Sequence, residues 1–192
     1  MDESVKMTPA AQRILETASA LFYGRGIHAV GVETIASEAG VTKKTLYDRF
    51  GSKEQLIVAY LKKRDDLWTH HLNSYLNRIP DHDPVQKIMM IFEALESWLA
   101  KNSQRGCAFV NALAELTEPS HPGRTYIIEK KKQLKQLFIR YLDELGLTNA
   151  IQTGEKLFIL HEGITVAYSM GLAPNGAAPA IETAKHIIAS SS

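Results

Sequence analysis

The chain of 192 residues contains a single cysteine, Cys107. One thiol excludes an internal disulfide framework and a zinc site built from several thiolates of one chain. Long apolar runs are also missing, because polar residues interrupt every hydrophobic stretch before the roughly 20 residues that a membrane-spanning helix needs. The polar segment 1–13 lacks the apolar core of a secretory signal. We therefore expect a cytoplasmic protein with no membrane partner.

A large charge of one sign is lacking too, since the formal net charge is only +1. The charges are nevertheless unevenly placed. Residues 1–64 carry ten Lys or Arg against seven Asp or Glu, and residues 40–64 alone carry seven against two. Such a cluster is either a solvated helix face or a surface for nucleic acid, and charge alone leaves both interpretations open.

Helix signals occur along the whole chain, whereas strand signals are nearly absent. Thr8-Pro9 is typical of a helix start, and Ser52 with Gln55 forms a capping box. Pro- and Gly-containing breaks separate the later helices. The sequence therefore predicts an all-α fold of nine helices. The first helix begins at Pro9, and the other eight span 32–39, 42–50, 52–76, 84–101, 106–117, 122–145, 150–172 and 179–190.

The segment 32–50 has the pattern of a helix-turn-helix. Two short helices that cross closely need a small residue at the crossing, here Ala36, and a turn residue that tolerates positive φ, here Gly40. Val41 is expected to fill the angle between the helices. The apolar residues of the segment are expected to form a small core, namely Ile35, Ala39, Leu46 and Phe50.

The second helix of this motif is expected to present a polar face to solvent. Thr42 is positioned to cap it and leaves its N-terminal amides facing a phosphate. The outward residues are then Lys43, Lys44, Thr45, Tyr47 and Asp48. A short helix with this face suits insertion into a DNA major groove. The alternative is an ordinary helical hairpin with a solvated basic face.

Four sequence blocks resemble the TetR family of transcriptional regulators: Leu21-Phe-Tyr-Gly-Arg-Gly26, Val32-Glu-Thr-Ile-Ala36, Ala39-Gly-Val-Thr-Lys-Lys-Thr-Leu-Tyr47 and Phe50-Gly-Ser-Lys-Glu54. The segment 106–112 also looks like one branch of that family. The resemblance implies an all-α homodimer that binds a palindromic operator and is released by a ligand held in its C-terminal body. It also implies a DNA-binding domain at 1–51, a connecting helix at 52–76 and a ligand-binding and dimerisation domain within 52–192.

The resemblance also assigns DNA contacts. Lys43, Lys44, Thr45 and Tyr47 match the recognition helix, while Lys53 matches a phosphate contact and Thr34 lies on the supporting helix. Gly31 stands where the family often has Ser or Thr, so a hydroxyl cap is either lost or replaced by a bare amide. Asp48 either accepts from a cytosine amino group or pairs with Arg49 or Lys44.

The last two predicted helices carry a candidate dimer face. Gly163, Ala167 and Gly171 form a strip of small residues at intervals of four, which lets another helix approach closely. A neighbour within the chain would serve equally well. The final helix has an apolar stripe that also needs cover. As in the resembled family, we expect a four-helix homodimer interface that includes Gly163, Ala167, Gly171, Ile181, Ala184 and Ile188.

The opposite face of helix 150–172 is expected to look into the body. Aromatic and Met walls with a few polar groups are what a small-molecule site needs. We therefore expect a mostly apolar or aromatic effector, and we expect no cofactor. Most of these residues also suit a plain core, and each polar one suits an internal hydrogen bond. The candidate residues are Met89, Phe92, Glu96, Phe109, Asn111, Phe138, His161 and Tyr168.

Competing functions have weaker support. An enzyme is disfavoured because the chain has no phosphate-binding glycine loop, no nucleophile elbow and no paired metal-ligand motif. A protein scaffold without DNA is disfavoured by the exposed lysines and Tyr47. Cys107 is either a redox sensor or a buried thiol. His70 and His71 point to different helix faces, so no metal site is expected.

Overall fold

A computed structural model describes residues 7–80, 82–102, 105–173 and 175–191. Within these ranges the chain forms nine helices and no strand, which confirms the predicted all-α class. The helices are α1 (Pro9–Arg25), α2 (Val32–Glu38), α3 (Lys43–Phe50), α4 (Lys53–Leu76), α5 (Pro84–Asn102), α6 (Ala108–Glu115), α7 (Pro122–Glu144), α8 (Ala150–Ser169) and α9 (Ala177–Ala189). No helix in the described ranges is long and apolar enough to cross a membrane.

Side-chain caps set several helix starts where the sequence predicted them. Thr8 Oγ1 accepts a hydrogen bond from the Ala11 amide at 3.2 Å, and Ser52 Oγ accepts one from the Gln55 amide at 3.1 Å. Asp83 Oδ1 accepts from the Gln86 amide at 2.9 Å, at the start of α5. Each bond satisfies an amide that has no partner within its helix.

Several helix ends differ from the prediction, and α6 spans Ala108–Glu115 rather than 106–117. Helix α8 ends at Ser169 rather than at 172, and α9 begins at Ala177 rather than at 179. Gly171 adopts φ +72°, a left-handed conformation that ends the helix, so the small-residue strip extends past α8. His161, which was expected on the inward face, lies within α8 and is buried.

The chain divides into two compact units. The first unit consists of residues up to Arg64 together with Ala108–Ile128, and the second consists of Asp65–Cys107 together with residues from Glu129 onward. This division differs from the functional boundary expected after residue 51. The reason is packing: the first turns of α4 bury Leu56, Ile57, Tyr60 and Leu61 in the same core as α1, α2 and α3.

The core of the second unit lies between α5, α7, α8 and α9 and includes Ile88, Phe92, Phe138, Leu142 and Leu157. Helix α9 packs on both α5 and α8. Its inward face is the alanine-rich row Ala177, Ala180, Ala184 and Ile188. Small residues in this row let the helices approach closely.

Candidate functional site

The helix-turn-helix forms as the sequence predicted. Ile35, Ala36, Ala39, Leu46 and Phe50 are all buried in the core of the first unit. Gly40 adopts φ +63°, and the Val41 amide donates to the Ala36 carbonyl at 3.0 Å across the turn. Only a residue without Cβ adopts this left-handed conformation at no steric cost. The turn therefore fixes the angle at which α3 leaves α2.

Helix α3 exposes the polar face that was expected. Thr42 is its N-cap, with Oγ1 accepting from the Thr45 amide at 3.0 Å. Lys43, Lys44 and Tyr47 are exposed, whereas Thr45 is half-buried. The Thr45 hydroxyl lies 2.9 Å from that of Thr42. Two cations, a phenol and two hydroxyls therefore share the first two turns of one short helix.

Both lysines of this helix are ion-paired to carboxylates of the first unit. Lys43 Nζ bonds Glu33 Oε1 of α2, and Lys44 Nζ bonds Asp48 Oδ2 at 2.8 Å. The hydrogen bond between Lys43 and Glu33 lowers the pKa of the carboxyl and raises the pKa of the ammonium. The structure thus pairs Asp48 with Lys44, one of the alternatives left open. The carboxylate partner Glu33 was missed, because it belongs to another helix.

Lys53 has a more enclosed position than a simple phosphate contact requires. Its Nζ donates to the Ile27 carbonyl at 2.8 Å and lies 6.0 Å from the centre of the Phe22 ring. Partial burial lowers the pKa of this lysine, while the nearby carboxylate of Glu115 acts in the opposite direction. A phosphate would have to share the ammonium with the Ile27 carbonyl.

Glu115 of α6 was not anticipated from sequence. Its Oε2 accepts from the His28 amide at 2.8 Å, in the α1–α2 connection. A Cβ at Gly26 would lie only 3.0 Å from Glu115 Oε1. The bare backbone at Gly26 therefore admits the carboxylate that holds this connection. Nothing in the local sequence pattern indicates a contact between residues so far apart in the chain.

The supporting helix α2 begins without a side-chain cap. Gly31 is its N-cap residue and forms no side-chain hydrogen bond, so the hydroxyl that the family often has there is absent. Thr34 is exposed one turn into the same helix. The Glu33 carboxylate at this helix start accepts a hydrogen bond from its own backbone amide.

Four of the eight candidate effector residues come together in the second unit. Met89, Phe92, Phe138 and His161 are buried in one core. The ring centroid of His161 lies 6.3 Å from those of Phe92, Phe138 and Trp68. The histidine is therefore enclosed by aromatic rings, in agreement with the expectation that this face of α8 looks into the body.

His161 also contacts Glu162, and Glu162 in turn contacts Lys131. The Nδ1 of His161 lies 3.1 Å from Glu162 Oε1, and Lys131 Nζ lies 2.7 Å from both oxygens of that carboxylate. Because a carboxylate only accepts, Nδ1 carries the proton and Nε2 is left as an acceptor. That Nε2 is buried and lacks a hydrogen-bond partner among the described residues. Burial lowers the pKa of His161, although Glu162 opposes the shift.

Burial acts on Glu162 in the opposite direction, since it raises the pKa of the carboxyl. The hydrogen bond from His161 and the charge of Lys131 outweigh this effect and lower the pKa to about 2. Glu162 is therefore ionised at neutral pH. Lys131 pairs with this carboxylate, and burial keeps the imidazole of His161 neutral.

The other four candidates are placed differently. Glu96 Oε1 accepts from the Ala177 amide at 3.2 Å, and so serves the start of α9. Tyr168 is half-buried on α8. Phe109 and Asn111 belong to the first unit, where Phe109 packs edge-on against Tyr126.

The expected dimer stripe on α9 needs correction. Ala184 is fully buried and Ile188 is 7% exposed, both within the core of the second unit. Because α9 packs that face on α5 and α8, these two side chains have no surface to offer another subunit. Ile181 is half-buried, Ala167 is half-buried, and Gly163 and Gly171 are exposed. An apolar row that was not predicted is exposed instead, comprising Ile159 and Val166 of α8 and its C-cap residue Met170.

No group of three or more His, Cys, Asp or Glu residues in the described ranges is placed to hold a metal ion. Cys107 is a free thiol of intermediate exposure. His71 Nε2 lies 3.0 Å from the Ala94 carbonyl, which gives this imidazole a partner within the fold.

Comparisons with known proteins agree with the helix-turn-helix geometry. Residues 14–60 match the model of the bacterial regulatory proteins of the tetR family. The transcriptional activator FasR of Mycolicibacterium smegmatis is 33% identical over 107 residues, which are 56% of this chain and 48% of FasR. The chain thus spans about half the length of that relative. The uncharacterised regulator YxaF of Bacillus subtilis is 29% identical over 79% of this chain and 81% of its own length.

The likeness extends over the whole fold. The crystal structure of a TetR-family transcriptional regulator from Streptomyces coelicolor superposes with a TM-score of 0.85 at 27% identity and covers 95% of both chains. The match includes the C-terminal helices that the family model does not reach. From the N-terminal motif and the nine-helix fold together, the chain belongs to the TetR family of transcriptional regulators, and the prediction of a regulator rather than an enzyme is confirmed.

Proposed function

We propose that the protein is a ligand-responsive transcriptional repressor, which binds a palindromic operator as a homodimer and is released by a small, mostly apolar effector. The observation that carries the DNA-binding part is the exposed face of α3. Lys43, Lys44 and Tyr47 project from a helix whose opposite side is anchored by buried Leu46 and Phe50. A helix held in this way keeps its orientation when it enters a major groove.

The contacts we propose fall into two groups. Lys43, Lys44, Thr45 and Tyr47 face base edges or the phosphates that flank them. Thr34, Thr42 and Lys53 face the backbone, where contacts position the protein without reading sequence. The helix start at Lys43 adds main-chain amides to this group.

Dimerisation is proposed through the exposed face of α8. Ile159, Val166 and Met170 are 68%, 44% and 60% exposed and recur at helical spacing beside Gly163 and Ala167. Gly171 and Ile181 are retained in this proposed interface. Exposed apolar surface of this kind is typical of a protein–protein contact. A palindromic operator requires that such a two-fold dimer present its two copies of α3 about one turn of DNA apart.

A ligand releases such a dimer from DNA when it binds two conformational states of the dimer with different affinities. A ligand that binds better to a dimer with another spacing of its two recognition helices weakens operator binding. Helix α4 is the proposed link, because it begins in the first unit and ends in the second. In the second unit, the buried and unpartnered Nε2 of His161 supports a ligand that donates a hydrogen bond among aromatic rings.

Selection of bound duplexes from a random pool, followed by titration of the selected site, tests the DNA-binding part. Tyr47→Phe and Lys44→Ala should each weaken binding, and Lys44→Ala should also reduce the salt dependence by about one phosphate contact. Lys185→Ala, at an exposed position of α9, is the matched control and should leave affinity unchanged. Selection of no sequence, or equal affinity for all variants, contradicts the proposal. Transcription from the selected site distinguishes a repressor from an activator such as FasR.

Sedimentation tests the dimer. Val166→Glu places a charge in the proposed interface and should convert a dimer at micromolar concentration into a monomer. Lys156→Glu, on the same helix and also exposed, is the control for adding a carboxylate. A parent chain that sediments as a monomer at that concentration contradicts the homodimer.

A further inference from the structure

One peptide unit in the connection between α1 and α2 is held by two charged side chains. The Ile27 carbonyl accepts a hydrogen bond from Lys53 Nζ at 2.8 Å. The amide of the next residue, His28, donates to Glu115 Oε2 at 2.8 Å. Lys53 is the first residue of α4 and Glu115 is the last residue of α6, and both belong to the first unit. We call these two side chains and the peptide between them the clamp.

The local chain does not account for a carboxylate at the end of α6. The dipole of a helix disfavours a negative charge at its C-terminus, which is where Glu115 stands. The carboxylate lies instead against the backbone of Gly26, where a Cβ would be 3.0 Å from Oε1 and 3.2 Å from Oε2. Only 28% of the Glu115 side chain is exposed. The contact with the α1–α2 connection therefore explains its position better than its own helix does.

The clamp gives the ammonium of Lys53 a direction. Its bond to the Ile27 carbonyl uses one of the three N–H groups of an ammonium, and two remain to donate to a phosphate. The peptide unit is planar, so its carbonyl turns whenever its amide turns. The direction of the ammonium thus depends on the group that holds the His28 amide, which is Glu115.

We propose that Glu115 is a positioning residue for the phosphate contact of Lys53. By accepting from the His28 amide, Glu115 keeps the Ile27 carbonyl where it aims the ammonium at the DNA backbone. Without this acceptor the peptide takes up several orientations, and only the fraction of molecules with a correctly aimed ammonium binds at full strength. The effect on the operator rests on the proposed function, whereas the clamp itself does not.

Substitutions at position 115 separate position from charge. Glu115→Gln removes the charge but keeps an oxygen that accepts from the His28 amide, so it should bind the operator as tightly as the parent chain or up to about threefold more tightly. Glu115→Ala removes the acceptor and should weaken binding about tenfold, the effect of one hydrogen bond to a charged group. Glu115→Asp keeps the charge on a side chain shorter by one methylene and should also weaken binding. A carboxylate that only repelled DNA would give tighter binding in both uncharged variants.

A double-mutant cycle tests whether the effect passes through Lys53. Lys53→Met should weaken operator binding and reduce its salt dependence by about one phosphate contact. In that background no ammonium is left to aim, so Glu115→Ala should weaken binding by less than about twofold. Glu118→Ala, at an exposed position of the same region, is the matched control and should leave affinity unchanged. Fully additive effects contradict the proposed route.

Amide exchange measures the clamp in the absence of DNA. The chain has seven histidines, so labelling with ¹⁵N-histidine gives at most seven backbone amide signals. His28→Ala identifies the His28 signal by its loss. Because this variant keeps the backbone amide, it should also leave operator affinity unchanged. The His28 amide should exchange at least about tenfold faster in Glu115→Ala than in the parent chain, and Glu115→Gln should restore its protection.

The two measurements fail in distinguishable ways. Equal exchange in the parent chain and Glu115→Ala overturns the clamp. Faster exchange without loss of operator affinity leaves the clamp in place and overturns its positioning role. A Gln variant as weak as the Ala variant, or a loss of affinity in His28→Ala, also overturns that role, since the charge or the imidazole would then act in place of the amide bond. A parent chain that selects no operator contradicts the regulatory function and the positioning role together, while exchange still decides the clamp.

Discussion

Lys43, the first residue of α3, forms an ion pair with Glu33 of the neighbouring helix α2. Both side chains are well exposed, so the pair lies on the surface that we propose meets DNA. A carboxylate there has two opposite effects. It orients the lysine, and it repels the phosphate that the lysine would contact.

Removing that carboxylate charge shows which effect is larger. We expect Glu33→Gln to tighten operator binding several-fold at low salt and to make the salt dependence steeper by up to about one phosphate contact, because Lys43 becomes available to the backbone. Glu38→Gln is the control, since Glu38 lies on the same helix and pairs with Arg25 at 3.2 Å. Weaker binding by Glu33→Gln alone would show that Glu33 acts mainly by positioning Lys43.

The cap of the recognition helix should contribute measurably to stability. Thr42→Ala removes the oxygen that accepts from the Thr45 amide and should lower the free energy of unfolding by about 1 kcal/mol. Thr42→Ser keeps the oxygen and should restore most of that loss. Urea unfolding of the three proteins measures the difference. Equal stability of the Ala and Ser variants would contradict a capping role.

Two glycines of α8 should respond in opposite ways to alanine. A Cβ at Gly154 would lie 2.5 Å from Ile139 Cγ1 and 3.3 Å from the Ile139 amide nitrogen, so Gly154→Ala should destabilise the chain by about 1–3 kcal/mol. Gly163 has no atom within 4 Å of such a Cβ. Gly163→Ala should therefore gain about 0.5–1 kcal/mol of helix stability in the Val166→Glu background, where the proposed dimer contact is absent. The prediction fails if thermal unfolding ranks the two variants equally or in reverse.

His161 should make stability depend on pH. Burial lowers its pKa in the folded chain, whereas the unfolded chain titrates near the ordinary value of about 6.5. Below that pH the unfolded state binds a proton that the folded state does not. The free energy of unfolding should therefore fall as pH drops from 7 to 5, by up to about 1.4 kcal/mol per pH unit for this group.

Variants isolate the contribution of His161. His161→Gln should flatten the profile between pH 7 and 5, and His70→Gln, at an exposed position of α4, should not. The lowered pKa of Glu162 also stabilises the fold, but that stability is lost only below the ordinary carboxyl pKa of about 4.5. A pH profile unchanged by His161→Gln would show that this imidazole is not held neutral in the folded chain.

Local pattern was sufficient for much of the structure. The helix-turn-helix core of Ile35, Ala36 and Leu46 follows from helical periodicity, and the turn at Gly40 follows from the need for positive φ. The caps at Thr8, Thr42 and Ser52 were predicted because a cap acts within three residues of the chain.

Residues far apart in the chain were harder to place. Phe109 is an aromatic residue of the kind that lines small-molecule pockets. It belongs, however, to the first unit and packs against Tyr126. Helical periodicity identifies the face of a helix that is buried, but it does not identify the helix that covers this face.

The sequence by itself determined the helices, the turn and the outward face of α3, because these depend on backbone conformation and on hydrophobic spacing within one segment. Tertiary structure decided which partners those faces have. It paired Lys43 with Glu33, enclosed His161 with its Nε2 unpartnered, and turned Ala184 and Ile188 inward while Val166 faces solvent. An apolar stripe must be covered, but whether by its own chain or by another molecule depends on how the helices pack, and helical spacing does not contain that information.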